Sequence, residues 1–183
     1  MHPLDKFQFC PVCGSKDFRE NNFKSKHCEA CGFTYYANPC SATAAFIRNE
    51  RGELLIVRRA KEPAKGTLDL PGGFVDMEET VEQGMIREIQ EETGLNIDAV
   101  KYLFSIPNLY VYSGMTIHTI DMFFETHVKD NVHPVADDDA AELLWLPLDQ
   151  IDPKDFGLKS ISQGVERFLS SHNHLSYSNE RNR

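Results

Sequence analysis

An α+β fold in two parts is what this sequence predicts: a small cysteine-stapled ribbon, then a larger domain mixing short strands with helices. Three observations predict it. Four cysteines form two Cys-x-x-Cys pairs between residues 10 and 31. Short apolar runs bounded by turn residues follow from Ser41. One long stretch of helical periodicity, Asp76 to Thr93, closes on Gly94.

The chain's 183 residues suffice for one ordinary domain, or a domain plus a small module. A hydrophobic share of 41% and a charged share of 26% are those of a globular protein in water. No run approaches the ~18 apolar residues of a membrane span. The first 30 residues hold no apolar signal-peptide core, so a cytoplasmic location is expected, with no membrane partner. The net charge of −9, without a basic tract, speaks against a nucleic-acid binder, which needs clustered Lys and Arg on phosphates. A small anionic substrate stays compatible with it if metal ions carry the positive charge.

The ribbon comprises residues 1–38. Cys10-Pro-Val-Cys13-Gly and Cys28-Glu-Ala-Cys31-Gly each let two thiolates reach one tetrahedral ion, and the following Gly eases the turn. The segment between them suits a hairpin that folds the second pair onto the first. Two disulfides are the alternative, which a reducing cytoplasm disfavours. A structural Zn²⁺ on Cys10, Cys13, Cys28 and Cys31 is therefore expected, closed and non-catalytic. His27 adjoins Cys28 but is not needed as a ligand, and Cys40 reads as a buried thiol. Lys6, Lys16, Arg19, Lys24 and Lys26 stand against Asp5, Asp17, Glu20 and Glu29, which makes no basic face. A structural or homodimer-forming role fits that balance. Tyr35 to Pro39 reads as the exit, with Pro39 discouraging helix.

The main domain covers 39–171, with a mobile tail from 172 to 183. Strands are expected at 41–47 and 53–59 around the turn Asn49-Glu50-Arg51-Gly52. A polar loop spans 59–69, and the paired glycines of Leu70-Pro71-Gly72-Gly73 permit backbone geometry that other residues resist. Further strands are expected at 99–105, 109–113, 116–128 and 142–146. A last helix covers 158–171, with Ile161, Val165, Phe168 and Leu169 on its apolar side.

The helix from Asp76 carries the chemistry. Asp76 and Glu79 fit a capping box at its start. At ~100° per residue, Val81, Met85, Ile86 and Ile89 fill one arc, and Glu88, Glu91 and Glu92 fill the adjoining one. Carboxylates three and four apart repel by roughly 0.2–0.5 kcal/mol each when exposed. A merely solvated face would lie opposite the core, whereas these three lie against its edge. They read as directed into a partly enclosed site, and several oxygen ligands suit a hard cation such as Mg²⁺.

Gly73, then Glu79, then Arg87-Glu88-Ile89-Gln90-Glu91-Glu92-Thr93-Gly94-Leu95 resembles the Nudix box at every defined position. The resemblance extends loosely over 41–170. It implies an α/β/α sandwich around a mixed sheet, with Glu88, Glu91 and Glu92 as metal ligands and the Gly73 carbonyl close by. It also implies Glu79 supporting Arg87 by an ion pair. With the ribbon ahead, the chain resembles the zinc-ribbon NADH pyrophosphatase branch. It departs from that branch in lacking an N-terminal domain. Of the downstream Ser-Gln-Pro-Trp-Pro-Phe-Pro motif it keeps only Ser105 and Pro107, and Leu68 stands where the family often has Trp.

The resemblance implies metal-dependent hydrolysis of the pyrophosphate bond of a nucleoside diphosphate-linked substrate, NADH/NAD or ADP-ribose, releasing a nucleoside monophosphate. Mg²⁺ or Mn²⁺ would be the catalytic ion. Dinucleoside polyphosphate hydrolysis and a non-catalytic nucleotide-sensing regulator are the alternatives. Asp139, three residues before Glu142-Leu143-Leu144-Trp145, holds the place of a further acidic ligand or base, or else belongs to a solvated acidic loop. Arg58, Arg59 and Lys65 could contact phosphate. Phe74, Tyr110, Tyr112 and Phe124 could stack on a base, although core packing suits each of them too. His118, His127 and His133 show no metal spacing.

Overall fold

The computed structural model describes residues 2–130, 134–135 and 140–179, with side chains described as far as 172. The chain divides into two units: Met1–Cys40 with Leu109–His118, and Ser41–Asn108 with Thr119–Arg183.

In the first unit, β1 (Phe18–Asn22), β2 (Ser25–Cys28) and β3 (Thr34–Tyr36) form an antiparallel sheet in that order. The hairpin sets Phe18 opposite Cys28. Cys10, Phe18 and Cys28 make a small core with Phe7 and Phe33 packed against it. So small a core cannot hold forty residues by apolar burial alone, which is the condition under which a metal staple is needed.

The larger sheet has the strands β4 (Cys40–Arg48), β5 (Leu54–Arg59), β6 (Leu68–Asp69), β7 (Lys101–Tyr112), β8 (Met115–His127) and β9 (Ala140–Leu146), of which Cys40 and the β7–β8 tip, Leu109–His118, count with the first unit. The sheet runs β6-β5-β4-β8-β7, with β9 pairing β5. The pairs β4–β5, β5–β6 and β5–β9 are antiparallel, and a parallel bridge joins Leu68 to Phe156. Successive side chains of a strand point to opposite faces. Ala44, Phe46, Leu54 and Ile56 therefore enter one core, and Ala45, Ile47 and Leu55 enter another. That is why β4 and β5 are apolar at nearly every position: both faces are covered.

α2 (Lys159–Asn179) covers the first face with Ile161, Val165 and Phe168. The Phe168 ring stacks on Phe46 at 3.9 Å between centroids, a burial worth about 1.5–3 kcal/mol. α1 (Val81–Thr93) covers the second face with Met85 and Ile89. The helix–sheet–helix layering expected from the resemblance is thus present. Among the described residues, no helix is long and apolar enough to cross a membrane.

Several boundaries differ from expectation. α1 begins at Val81, not Asp76. Its cap is Thr80, whose hydroxyl accepts from the Gln83 N–H at 3.2 Å while Gln83 Oε1 accepts from the Thr80 N–H at 2.8 Å. Strand β7 runs unbroken through Pro107, where two strands were expected. It lies at the sheet edge, where a residue without an N–H is tolerated. The polar loop at 59–69 ends in a short strand, β6. α2 continues to Asn179, past the boundary at 171. Cys40, expected buried, is exposed at the start of β4, where burial begins only at Thr43.

Candidate functional site

Two places gather chemistry-bearing side chains. In the first unit, each Cys-x-x-Cys pair sits in the same kind of tight turn. Gly14 N–H donates to Cys10 O at 2.9 Å and Gly32 N–H to Cys28 O at 2.8 Å, with both glycines at positive φ. The Sγ–Sγ distances are 3.7 Å for Cys10–Cys31 and 3.6 Å for Cys13–Cys28, and all four sulfurs lie within 4.8 Å of one another. A tetrahedral thiolate site with metal–sulfur bonds of about 2.3 Å has edges close to those distances. The cysteines are free thiols, so the disulfide alternative does not hold. Crowding splits their acidities. Burial raises the Cys10 thiol, but the Cys13 and Val12 backbone N–H groups outweigh it and bring it to about 7. At Cys31 the Phe33 N–H pulls down, yet Cys13 and burial leave it pushed up to about 12. Four thiols so close cannot all ionise without a cation among them, so the donor set fits a metal.

A second grouping, His2, Asp5 and Glu20, also has ligand atoms within 4.8 Å. His2 has both ring nitrogens engaged, with the Leu4 N–H at 3.1 Å and Asn22 O at 2.8 Å, so it offers no lone pair. His27 is likewise turned elsewhere, to the Thr34 hydroxyl at 2.8 Å.

In the second unit, the segment 71–75 lies along β4. Thr43 N–H donates to Gly73 O at 2.8 Å, Ala45 N–H to Pro71 O at 2.9 Å, and Val75 N–H to Ser41 O at 3.1 Å. This brings Gly72 and Gly73 against α1. Gly72 N–H donates to Glu92 Oε2 at 2.9 Å. A Cβ on Gly73 would stand 2.6 Å from the Glu88 carboxyl group, so Glu88 occupies space that only glycine leaves open. Glu92 is buried, Glu88 is half-buried and Glu91 is exposed. Burial pushes the Glu88 carboxyl above the usual carboxylate range, against the pull of Arg87.

Arg87 links the cluster. Its Nε and Nη2 meet Glu79 at 3.2 and 2.7 Å, and Nη2 also donates to Phe74 O at 3.0 Å. Its Nη1 donates to Glu88 at 2.8 Å and Glu91 at 3.0 Å. The Glu79 pairing raises the Arg87 pKa further and holds Glu79 below the ordinary carboxylate value. The expected support of Arg87 by Glu79 is therefore present. Glu79 also accepts from the Asp76 N–H at 2.6 Å, in a loop ahead of α1 and not in the capping box expected there.

Not every expected residue joins this cluster. The Gly73 carbonyl faces Thr43, engaged in β4 pairing. Arg58 donates to Glu142 Oε2 at 3.0 Å and Gly66 O at 3.2 Å. Arg59 is bonded to Asp69 and Pro63 O. Phe124 packs in the core. Phe74, 39% exposed, adjoins the cluster through its own carbonyl. Tyr110 and Tyr112 belong to the unit that holds the cysteines. Asp139, with Asp137, Asp138 and His133, lies outside the described residues.

Sequence reasoning missed three contacts: Arg87 to Glu88, Arg87 to Glu91, and Gly72 to Glu92. The i,i+4 spacing of Arg87 and Glu91 signals one of them, and nothing local signals the last. The residues fit a hard divalent cation by donor type, three carboxylates with one packed into a cradle of glycine backbone. Glu88, Glu91 and Glu92 do not converge as the cysteines do: Glu88 and Glu91 meet on Arg87 Nη1, and Glu92 turns to the Gly72 N–H.

A family model described as the NUDIX domain matches residues 38–165. The "NAD-capped RNA hydrolase NudC" of Vibrio vulnificus is 28% identical over 156 residues, covering 83% of this chain and 55% of its own length. The "ADP-ribose pyrophosphatase" of Methanocaldococcus jannaschii is 42% identical over 74 residues, 40% of this chain and 43% of that protein. The crystal structure of a NUDIX hydrolase from Nitrosomonas europaea matches with a TM-score of 0.71 at 22% identity, covering 91% of this chain and 93% of that one. That likeness speaks to fold. The chain spans about half the length of the curated relatives it matches.

Proposed function

The chain belongs to the NUDIX family, and from that premise we propose that it hydrolyses the P–O–P bond of a nucleoside diphosphate-linked substrate. NADH, NAD⁺ and ADP-ribose are the substrates we favour, with a nucleoside monophosphate as one product. The observation that carries this reading is the Glu88 carboxyl packed against Gly73, with Glu92 bonded to the Gly72 N–H, Glu91 joined to Glu88 through Arg87, and no carboxylate of the box replaced. The names of two relatives, which act on NAD-capped RNA and on ADP-ribose, support the substrate class.

Glu88, Glu91 and Glu92 are the residues we assign to hold Mg²⁺ or Mn²⁺. Such an ion supplies Lewis acidity and offsets phosphoryl charge. Phosphoryl transfer asks a protein mainly for position and electrostatics, which α1 and the 71–75 segment provide as rigid supports. Glu79 orients Arg87 by a two-point pair. One box carboxylate takes the proton of the attacking water. Phe74, beside the cluster, is the residue we assign to stacking on a base. Arg58, paired with Glu142 at the surface, is assigned to a substrate phosphate. Zn²⁺ on the four cysteines completes the reading, as a structural ion in a protein of the cytoplasm. The ribbon's role is then structural, and self-association is compatible with it.

The test is a turnover panel of NADH, NAD⁺, ADP-ribose and diadenosine polyphosphates with Mg²⁺ or Mn²⁺. Turnover of the first three is expected, falling about 100-fold or more in Glu91→Gln, with circular dichroism unchanged. Full activity in that variant refutes the assignment. Binding without turnover of any of the four points to a nucleotide sensor.

A further inference from the structure

We propose that Arg87 competes with the divalent ion for Glu88 and Glu91, so that the ion enters the cluster only by displacing one arm of the guanidinium. This rests on the reading of those glutamates as metal ligands. All five N–H groups of Arg87 are engaged, and they divide into two sets. The Nε and Nη2 edge is an anchor. It grips Glu79, which is itself held by the Asp76 N–H, and the Phe74 carbonyl. None of these partners is a proposed ligand. The Nη1 arm alone reaches proposed ligands, bridging Glu88 and Glu91 at 2.8 and 3.0 Å.

A guanidinium does not lose its proton in a protein, so raising the pH does not remove this arm. From ionised carboxylates it is displaced by a stronger claimant for the same oxygens. An ion on Glu88 and Glu91 would also face a fixed positive charge that Glu79 keeps in place. Arg87 therefore does two opposed things. It relieves the repulsion between Glu88 and Glu91, and it raises the ion concentration at which the cluster loads. Its role is that of a positioning residue.

The experiment is Mn²⁺ titration of the full zinc-loaded chain, following free Mn²⁺ by electron paramagnetic resonance, for wild type, Arg87→Gln and Arg87→Lys. Arg87→Gln should bind Mn²⁺ more tightly, by on the order of tenfold. It should also melt at a lower temperature than wild type without added divalent ion, and the gap should narrow at saturating Mn²⁺. Arg87→Lys keeps the charge but cannot bridge both glutamates while gripping Glu79. It should fall between the two, and it stands in if the Gln variant does not fold. A merely structural role would weaken binding in both variants. Equal or weaker Mn²⁺ affinity in both overturns the competition while leaving the metal-site reading intact. No Mn²⁺ binding in any of the three proteins overturns both.

Discussion

Gly72 and Gly73 are neighbours of identical side chain, and a methyl group would harm them in different ways. At Gly72, with φ at +151°, an added Cβ would stand 2.1 Å from the backbone oxygen of Thr43, which β4 holds in place. At Gly73 it would meet the end of a flexible side chain, the carboxyl of Glu88. Backbone cannot yield as a glutamate can. Gly72→Ala should therefore cost about 1–3 kcal/mol and lower the melting temperature by several degrees. Gly73→Ala should melt close to wild type yet lose about 100-fold in turnover, because Glu88 is pushed from its place. Thermal melts and assays on the two variants check this, and similar losses of stability in both would contradict it. At this scale the sequence was partly legible. The residue types of the box and their order along α1 were readable, since helix geometry makes neighbours of residues three and four apart. That Glu92 turns to the Gly72 N–H was not, because the contact joins segments twenty positions apart with no period between them.

Among the elements, the start of α1 shows how a local rule can be satisfied twice. Asp76-x-x-Glu79 and Thr80-x-x-Gln83 both have the spacing of a capping box. Glu79 grips Arg87, and the helix starts at the second box. The turn between β4 and β5 gives a pH prediction. Asn49 donates to Glu53 Oε2 at 2.7 Å and accepts from the Glu53 N–H at 2.9 Å, and Arg51 adds an ion pair. The Asn49 amide first, then Arg51, hold the Glu53 carboxyl below its ordinary 4.5. A carboxylate depressed in the folded state binds fewer protons there than in the unfolded chain. Its stabilisation is full above 4.5 and is lost as pH falls through the lower folded value. Wild type should therefore melt above Glu53→Gln at about pH 6, and the difference should shrink towards about pH 3. A difference that grows on acidification would show the sign to be wrong. The unbroken β7 carries a related lesson. Pro107 reads locally as a break, and only its place at the sheet edge makes it compatible with a strand.

For the whole molecule, the two units differ in what holds them. The second has two apolar cores, one on each face of its sheet. The first has a cluster of three buried residues, Phe18 and two of the four cysteines. Chelating the Zn²⁺ proposed for its four thiols should abolish the folding transition of the first unit and leave that of the second in calorimetry. Structural Zn²⁺ binding is worth roughly 10–16 kcal/mol in small zinc modules. Superposable traces before and after metal removal, with zinc loss verified, would contradict a structural ion. The sequence by itself determined the paired cysteines and the box carboxylates. These follow from spacings of a few residues, and a helix or a knuckle converts such spacings directly into geometry. Tertiary structure alone decided that Arg87 bridges Glu79, Glu88 and Glu91, that Gly73 makes room for Glu88, and that Arg58 pairs with Glu142. Those contacts depend on how strands and loops distant along the chain come to lie side by side, which no local periodicity encodes.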